Sequence, residues 1–155
     1  MSSFTVEGCH HTSFTVREIN AVLPFFIQGL GFDLVSIGPR DGNIMERLTG
    51  VLGVVVTEAY LQGPGIVLKL VQYYAPMDRS LSNPRLCDAG SAHIGLDIDD
   101  IDAAVATAAS HGFRLAGEII AIDAGPNAGR RIAYVRNADG LTVEFLGQRS
   151  QHSMR

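Results

Sequence analysis

The chain contains two copies of one sequence pattern, and this repeat restricts the possible folds more than any other feature. One copy begins with HTSFTVREINAV at residues 11–22, and the other with HIGLDIDDIDAA at residues 93–104. In each, a histidine opens a polar–apolar alternation typical of a strand, and an Ile-Asn/Asp-Ala step leads into a helix. The match continues from GLGFDL to SHGFRL and, at the end of each copy, from GIVLKL to GLTVEF. The sequence therefore predicts two modules of the same architecture.

Each module is predicted to contain a strand, a helix and three further strands. In the first module we expect strands at 11–16, 32–37, 54–61 and 66–73, with a helix at 20–30. In the second we expect strands at 92–98, 114–122, 131–136 and 141–146, with a helix at 102–111. Asn20 and Asp102 are the expected N-caps, and Pro24 is expected to move the start of the first helix to later residues. The predicted fold class is α+β, with two tandem βαβββ modules that form a curved mixed sheet around a central cleft.

The modules are expected to occupy residues 1–74 and 91–149. Residues 75–90, APMDRSLSNPRLCDAG, are polar, contain proline and glycine, and are predicted to be the linker. Residues 150–155 are predicted to be a disordered tail.

Composition narrows the classes of partner. The chain has 155 residues, 46% of them hydrophobic, and a net charge of −4 without a basic run, which argues against nucleic-acid binding. No apolar run approaches the roughly 20 residues of a membrane span, and the N-terminus lacks a signal-peptide pattern. Cys9 and Cys87 are too few for a disulfide scaffold. We expect a cytoplasmic protein that binds a small molecule and neither nucleic acid nor membrane.

Alternation within the strands separates an apolar face from a polar one. The apolar faces, expected to pack on the helices, carry Thr12, Phe14 and Val16 in one module and Ile94, Leu96 and Ile98 in the other. In the last strands Leu68, Leu70, Val143 and Phe145 are likewise expected to point inward. His10 is expected to face the helix side or to precede the strand. The polar side chains that the repeat places on the opposite face are His11, Lys69, His93 and Glu144.

His11, His93 and Glu144 are a candidate metal-ligand set. One strand histidine is more often structural than a ligand, but two at equivalent repeat positions, with a carboxylate at a third, favour metal binding. Two histidines and one glutamate bind Zn²⁺ in hydrolytic enzymes and Fe(II) in oxygenases, and they leave open positions on the metal. We expect one divalent metal ion, of which Fe, Mn, Co, Ni and Zn all suit these ligands.

Four stretches that together span nearly the whole chain resemble the vicinal oxygen chelate superfamily. They are HHTSFTVREINAVLPFFIQGLGFDLV, GIVLKLVQYYAP, SAHIGLDIDDIDAAV and RRIAYVRNADGLTVEFL. That superfamily includes glyoxalase I, methylmalonyl-CoA epimerase, extradiol dioxygenases, and the bleomycin- and fosfomycin-resistance proteins. The resemblance places the family's metal positions on His11, Lys69, His93 and Glu144, and it implies a homodimer.

Lys69 departs from the family pattern, because glyoxalase-like members have glutamate there and the epimerases have glutamine. Three interpretations stay open. In the first, Lys69 forms an ion pair with Glu144 and no metal binds. In the second, the two histidines and Glu144 hold the metal and Lys69 acts as an acid or base, because burial can lower its pKa. In the third, the three ligands act as they do in the extradiol dioxygenases.

The resemblance implies a metal-dependent enzyme of the glyoxalase or epimerase type, which transfers a proton next to a carbonyl of a small oxygenated substrate chelated by the metal. Glu144 and Lys69 are the expected catalytic residues. One alternative is a small extradiol-type dioxygenase, and another is a metal-free protein that binds an antibiotic-like small molecule. Glu46 is interpreted as a solvated loop charge, and alternation does not decide which face Glu58 takes.

Overall fold

A computed structural model describes residues 3–148, which form two compact units. Unit 1 comprises the described residues up to Ile27 together with Gly31–Arg79. Unit 2 comprises Gln28–Leu30 and the described residues from Ser80 onward. The tail predicted at residues 150–155 lies outside the described residues.

The first half of the chain forms a four-stranded sheet with the order β1-β4-β3-β2. Strand β1 is parallel to β4, and the other pairs are antiparallel. Its elements, in chain order, are β1 (Thr12–Thr15), α1 (Ile19–Pro24), a π-helical segment (Phe25–Gly29), β2 (Asp33–Pro39), α2 (Gly42–Thr49), β3 (Val55–Gly63) and β4 (Ile66–Ala75).

The second half forms a five-stranded sheet with the order β5-β9-β8-β6, in which β7 also pairs with β8. Its elements are β5 (His93–Ile98), α3 (Ile101–Ser110), β6 (Arg114–Leu115), β7 (Ile120–Ala121), β8 (Arg131–Arg136) and β9 (Thr142–Gly147). The single strand predicted at 114–122 is wrong in extent: two short strands flank Gly117, and a glycine inside a strand pattern often marks such a break.

The predicted βαβββ repeat is confirmed down to its strand register. In unit 1, Ser13 on β1 lies opposite Lys69 on β4. In unit 2, Gly95 on β5 lies opposite Glu144 on β9, so the two parallel pairs are aligned in the same way. The predicted inward face of the last strands is confirmed as well, because Leu68, Leu70, Val143 and Phe145 are each 0% exposed.

Both predicted N-caps are wrong by two residues. Glu18 caps α1 by accepting a hydrogen bond from the Asn20 amide, and Asp100 caps α3 by accepting one from the Ala103 amide. The later start predicted from Pro24 is wrong too, because Pro24 is the last residue of α1. The chain then widens into the π-helical segment, a rare geometry that begins directly after the proline.

Helix α2 was not predicted. Asp41 caps it by accepting a hydrogen bond from the Ile44 amide at 2.9 Å, and Gly50 ends it at a φ of 71°, the left-handed region that glycine favours. Glu46, interpreted from sequence as a loop charge, lies in this helix and accepts a hydrogen bond from the Gly53 amide. Met45 and Val51 pack against a buried cluster of Val54, Val56 and Val71. The α2 region therefore covers one end of the polar face of the unit 1 sheet.

Two further observations concern the cysteines and the helices. Cys9 and Cys87 are free, exposed thiols. Among the helices of residues 3–148, none combines the length and apolar character needed to cross a membrane.

Candidate functional site

Two of the predicted site residues, His93 and Glu144, meet in unit 2. The neighbouring strands β5 and β9 carry them, and Gly95 on β5 lies opposite Glu144 on β9. His93 Nε2 lies 3.3 Å from Glu144 Oε2. The His93 side chain is 40% exposed and that of Glu144 is 15% exposed, so a partly exposed imidazole lies beside a largely buried carboxylate.

Tyr134 completes this group. It lies opposite Glu144 on β8, with its phenol beside the Glu144 carboxylate. Burial and the interaction of the phenol with the negatively charged Glu144 raise the pKa of Tyr134, so the phenol stays protonated. The Tyr134 ring also meets the His93 ring edge to face, with centroids 5.2 Å apart. We call His93, Tyr134 and Glu144 the unit 2 cluster.

Unit 1 contains the same arrangement with a different third residue. Tyr60 lies opposite Lys69 on the neighbouring strand, and its ring meets the His11 ring edge to face at a centroid distance of 5.8 Å. The Lys69 ammonium lies 6.0 Å from the Tyr60 ring centroid. We call His11, Tyr60 and Lys69 the unit 1 cluster.

Glu58 is the carboxylate partner of Lys69 within unit 1. Lys69 Nζ lies 3.3 Å from Glu58 Oε1, and Arg40 Nε lies 2.8 Å from Glu58 Oε2. Burial of the Glu58 side chain, which is 7% exposed, raises its pKa, but hydrogen bonds and charges from Arg40 and Lys69 outweigh burial and lower the pKa below its usual value. The carboxylate that Lys69 contacts within unit 1 is therefore Glu58, which the sequence interpretation of a Lys69–Glu144 ion pair did not include.

His11 precedes β1 and lies beside Lys69. Burial lowers the pKa of His11, and the positive charges of Lys69 and His10 lower it further against the opposing effect of Glu58. His10 is exposed, and its Nδ1 lies 2.8 Å from Nδ1 of His11. A lowered pKa favours the neutral imidazole, the form that binds a metal.

A cleft of about 160 Å³ lies next to the ring of His11 and is lined by Cys9, His11, Gln62, Gly65, Ile66 and Val67.

The pair in unit 2 has the donor chemistry and spacing of two ligands to one metal. Ligand nitrogen and oxygen atoms lie about 2.0–2.2 Å from a divalent ion, which places two adjacent ligand atoms about 3.0–3.5 Å apart. The His93–Glu144 distance of 3.3 Å lies within that range. Among residues 3–148, no three His, Cys, Asp or Glu side chains are gathered into a group that could hold a metal. The two donors of unit 2 therefore fit a metal as part of a ligand set.

The structure thus brings His93 together with Glu144, and His11 together with Lys69. Sequence reasoning missed Tyr134 and Arg40, and it favoured core or interface packing over a place in the cleft for Tyr60. A signal for the tyrosines was present, because each module carries an Ala-Tyr pair at the same place before its last strand, Ala59-Tyr60 and Ala133-Tyr134. Both alanines are buried, which turns each tyrosine to the polar face.

The sequence profile of one family matches most of the chain. Residues 8–145 match the family described as the Glyoxalase/Bleomycin resistance protein/Dioxygenase superfamily. The chain belongs to this superfamily. The resemblance seen in the sequence is therefore confirmed.

Individual relatives agree with this assignment. The chain is 32% identical over 142 residues to a 2-epi-5-epi-valiolone epimerase from an Actinomyces species, an alignment that covers 88% of this chain and 77% of the epimerase. It is 30% identical over 139 residues to the uncharacterized protein YaeR of Escherichia coli K12, covering 90% of this chain and 95% of YaeR. A glyoxalase family protein from Bacillus cereus superposes with a TM-score of 0.82 at 20% identity, over 97% of this chain and 99% of that one, and shows the same fold.

Proposed function

We propose that this protein is a metal-dependent enzyme that moves a proton next to a carbonyl of a small oxygenated substrate. His93 and Glu144 provide two of the ligands of that metal. The observation that carries the proposal is the 3.3 Å approach of His93 Nε2 to the carboxylate of Glu144. The similarity to an epimerase supports the reaction class, because inversion at a carbon next to a carbonyl requires a proton to leave and return.

A bound divalent metal would supply a Lewis acid for the substrate oxygens. The chain's own groups then handle the proton. Glu144 is the proposed base, because its carboxylate is largely buried and held by Tyr134. The Tyr134 phenol, kept protonated beside Glu144, orients that carboxylate and leaves its other oxygen for the substrate or the metal.

Lys69 is proposed as a positive group and not as a base. Its ammonium is paired with the buried carboxylate of Glu58, and loss of the proton would remove one of the two cations that balance that carboxylate. In this position Lys69 provides a fixed positive charge that attracts anionic groups.

Hydrogen exchange at carbon tests the reaction class. The metal-loaded chain is incubated in D₂O with a panel of small hydroxyketones and 2-oxo acids, and deuterium incorporation next to the carbonyl is followed by NMR. We expect exchange that falls about 100-fold or more in Glu144→Gln. The exposed carboxylate change Glu118→Gln is the matched control and should leave the rate unchanged. A metal-loaded chain that catalyses no exchange but consumes O₂ with catechols would replace this proposal with the dioxygenase.

We also propose a homodimer. Strand β2 is an edge of the unit 1 sheet, and its Leu34, Val35 and Ile37 are 40%, 64% and 46% exposed. Exposed apolar edge strands favour pairing with another chain. Light scattering after size exclusion should give twice the chain mass, and Val35→Lys should shift it toward the monomer.

A further inference from the structure

We propose that Arg40 and Lys69 form a binding site for a carboxylate group, so that the substrate is a small oxygenated carboxylic acid. As a statement about the substrate this inference rests on the proposed function. As a statement about anion binding it stands on unit 1 alone. The site comprises Arg40, Glu58, Tyr60 and Lys69, which we call the carboxylate site.

The charges at this site do not cancel. Each oxygen of Glu58 is engaged by a different cation, Oε2 by Arg40 and Oε1 by Lys69. Two cations against one carboxylate leave one net positive charge in a chain whose overall charge is −4. The lowered pKa of Glu58 keeps this balance at neutral pH. The site therefore attracts a single negative charge.

The positive groups face outward and the negative group lies beneath them. The side chains of Arg40 and Lys69 are 38% and 19% exposed, whereas that of Glu58 is 7% exposed. A ligand arriving from solvent meets the guanidinium and the ammonium before it meets the carboxylate. Glu58 thus fixes the positions of the two cations without blocking them.

The open donors match the shape of a carboxylate. Arg40 contacts Glu58 through Nε, and within residues 3–148 no hydrogen bond or ion pair engages its two terminal nitrogens. Those two nitrogens form the fork that binds a carboxylate through both oxygens. Lys69 has two further N–H donors besides the one directed at Glu58. Arg40 and Lys69 lie 5.8 Å and 6.0 Å from the centroid of the same Tyr60 ring, which holds the donors on one patch.

A monoanion fits this site better than a phosphate dianion. One net positive charge neutralises one carboxylate. A doubly charged phosphate would leave excess negative charge beside the buried Glu58, which costs free energy in a region of low dielectric.

Acetate is the probe, because it has the carboxylate and no second oxygen group with which to chelate a metal. The full chain is titrated with acetate, and with neutral acetamide of the same shape, while NMR follows the Arg40 Nε–H and the amide of Tyr60. We expect saturable shifts with acetate and none with acetamide. Inorganic phosphate at the same ionic strength should bind more weakly than acetate. Equal responses to acetate and acetamide, or tighter binding of phosphate, would overturn the proposal.

Variants separate a ligand site from a purely structural ion-pair network. Arg40→Gln and Lys69→Met should each weaken acetate binding about tenfold, because each removes a charged donor. Arg47→Gln, the same loss of charge at an exposed position of α2, should leave binding unchanged. Glu58→Gln keeps both cations and removes the competing charge, so acetate should bind about tenfold more tightly. A network with no ligand role predicts no such gain, and the absence of any gain in folded Glu58→Gln would count against the site.

Chelator treatment distinguishes the failure of this inference from that of the proposed function. Acetate binding at the carboxylate site should persist after metal is removed and in His93→Ala. Binding that disappears in both cases would mean that the metal holds the acetate, which overturns this inference and supports the metal site. Acetate binding by a chain that carries no metal as purified and takes none up on addition would uphold the carboxylate site and contradict the proposed function.

Discussion

Each unit places a histidine, a tyrosine and a charged residue in the same arrangement, and the charged residue is negative in unit 2 and positive in unit 1. In unit 2, a histidine and a tyrosine flank Glu144; in unit 1, a histidine and a tyrosine flank Lys69. Strand register and ring geometry are alike in both. The repeat therefore gives both units the same placement of side chains, but their charged residues differ in chemistry. Glu144 in unit 2 can donate electron pairs, and Lys69 in unit 1 can attract an anion.

A second difference accompanies the first. Glu58 lies on β3 two residues before Tyr60, and the equivalent position on β8, two residues before Tyr134, is Ile132. Unit 1 thus has both the lysine and a carboxylate to balance it, and unit 2 has neither. The lysine is part of a compensated charge group, which indicates that the two units serve different chemical roles.

The largest effect is expected when unit 1 is made to resemble unit 2 at its third position. Lys69→Glu places a second carboxylate beside the buried Glu58 and removes one of its cations. The free energy of unfolding should fall by about 3 kcal/mol, because breaking a buried ion pair leaves an uncompensated charge. Urea denaturation measures it. Adding Glu58→Ile, the residue type of unit 2, should recover much of the loss; a double variant as unstable as the single one would contradict the charge argument.

The next largest effect is expected from acid, which should remove the contribution of ionised Glu58 to the free energy of unfolding. Its pKa is lowered in the folded chain, so its stabilising effect is complete above the usual glutamate value of 4.5 and is lost as pH falls through the lowered folded pKa. At pH 7, Glu58→Gln should lower the free energy of unfolding by about 2 kcal/mol. Measured across pH, the difference between wild type and variant should shrink below the folded pKa. A difference that is constant down to strongly acidic pH would rule out this ionisation as its source.

The two tyrosines should differ in their effect on metal binding. Tyr134→Phe removes the phenol hydroxyl beside Glu144 and should weaken metal affinity about tenfold, the usual cost of losing a group that orients a ligand. Tyr60→Phe is the matched change in unit 1 and should leave metal affinity unaltered. A competition titration with a chromophoric chelator and Zn²⁺ measures both. Equal effects of the two changes would mean that the units do not divide the roles as we propose.

The smallest effect concerns His11. Its pKa is lowered by burial and by the neighbouring charge of Lys69, so Lys69→Met should move that pKa upward toward the usual histidine value of 6.5. The shift is expected to be modest because the group is partly open to solvent, which screens the charge. NMR of the histidine ring protons in chelator-treated protein follows it. The His111 ring, at the end of α3, is the internal control, and an unchanged His11 titration would show that Lys69 does not influence it.

Much of this comparison could be predicted from the sequence, because repeated patterns of alternation report which side chains share a face. That reasoning placed His11, Lys69, His93 and Glu144 on the polar faces, and the registers of Ser13 with Lys69 and Gly95 with Glu144 agree with it. It could not assign Glu58, because a register shift between Val55 and Val56 interrupts the alternation near the start of β3.

Other elements lacked a readable signal. Helix α2 has only eight residues and packs through Met45, so its apolar periodicity is too short to stand out. Arg40 lies just beyond β2, and its partner Glu58 is distant in sequence, so only the folded sheet reveals the pair. The break at Gly117 and the caps Glu18 and Asp100 depend on local hydrogen bonds that several nearby residues could have made.

The central claim is that the imidazole–carboxylate pair of unit 2 holds a metal. The most direct test is the metal content of the full chain, purified without chelators under nitrogen, by elemental analysis. We predict a near-stoichiometric divalent metal that falls to background in His93→Ala and is retained in His111→Ala, a histidine change at the end of α3. A chain that carries no metal and gains none on addition of Zn²⁺, Co²⁺, Ni²⁺, Mn²⁺ or Fe²⁺, or a metal content that His93→Ala leaves unchanged, would contradict the account.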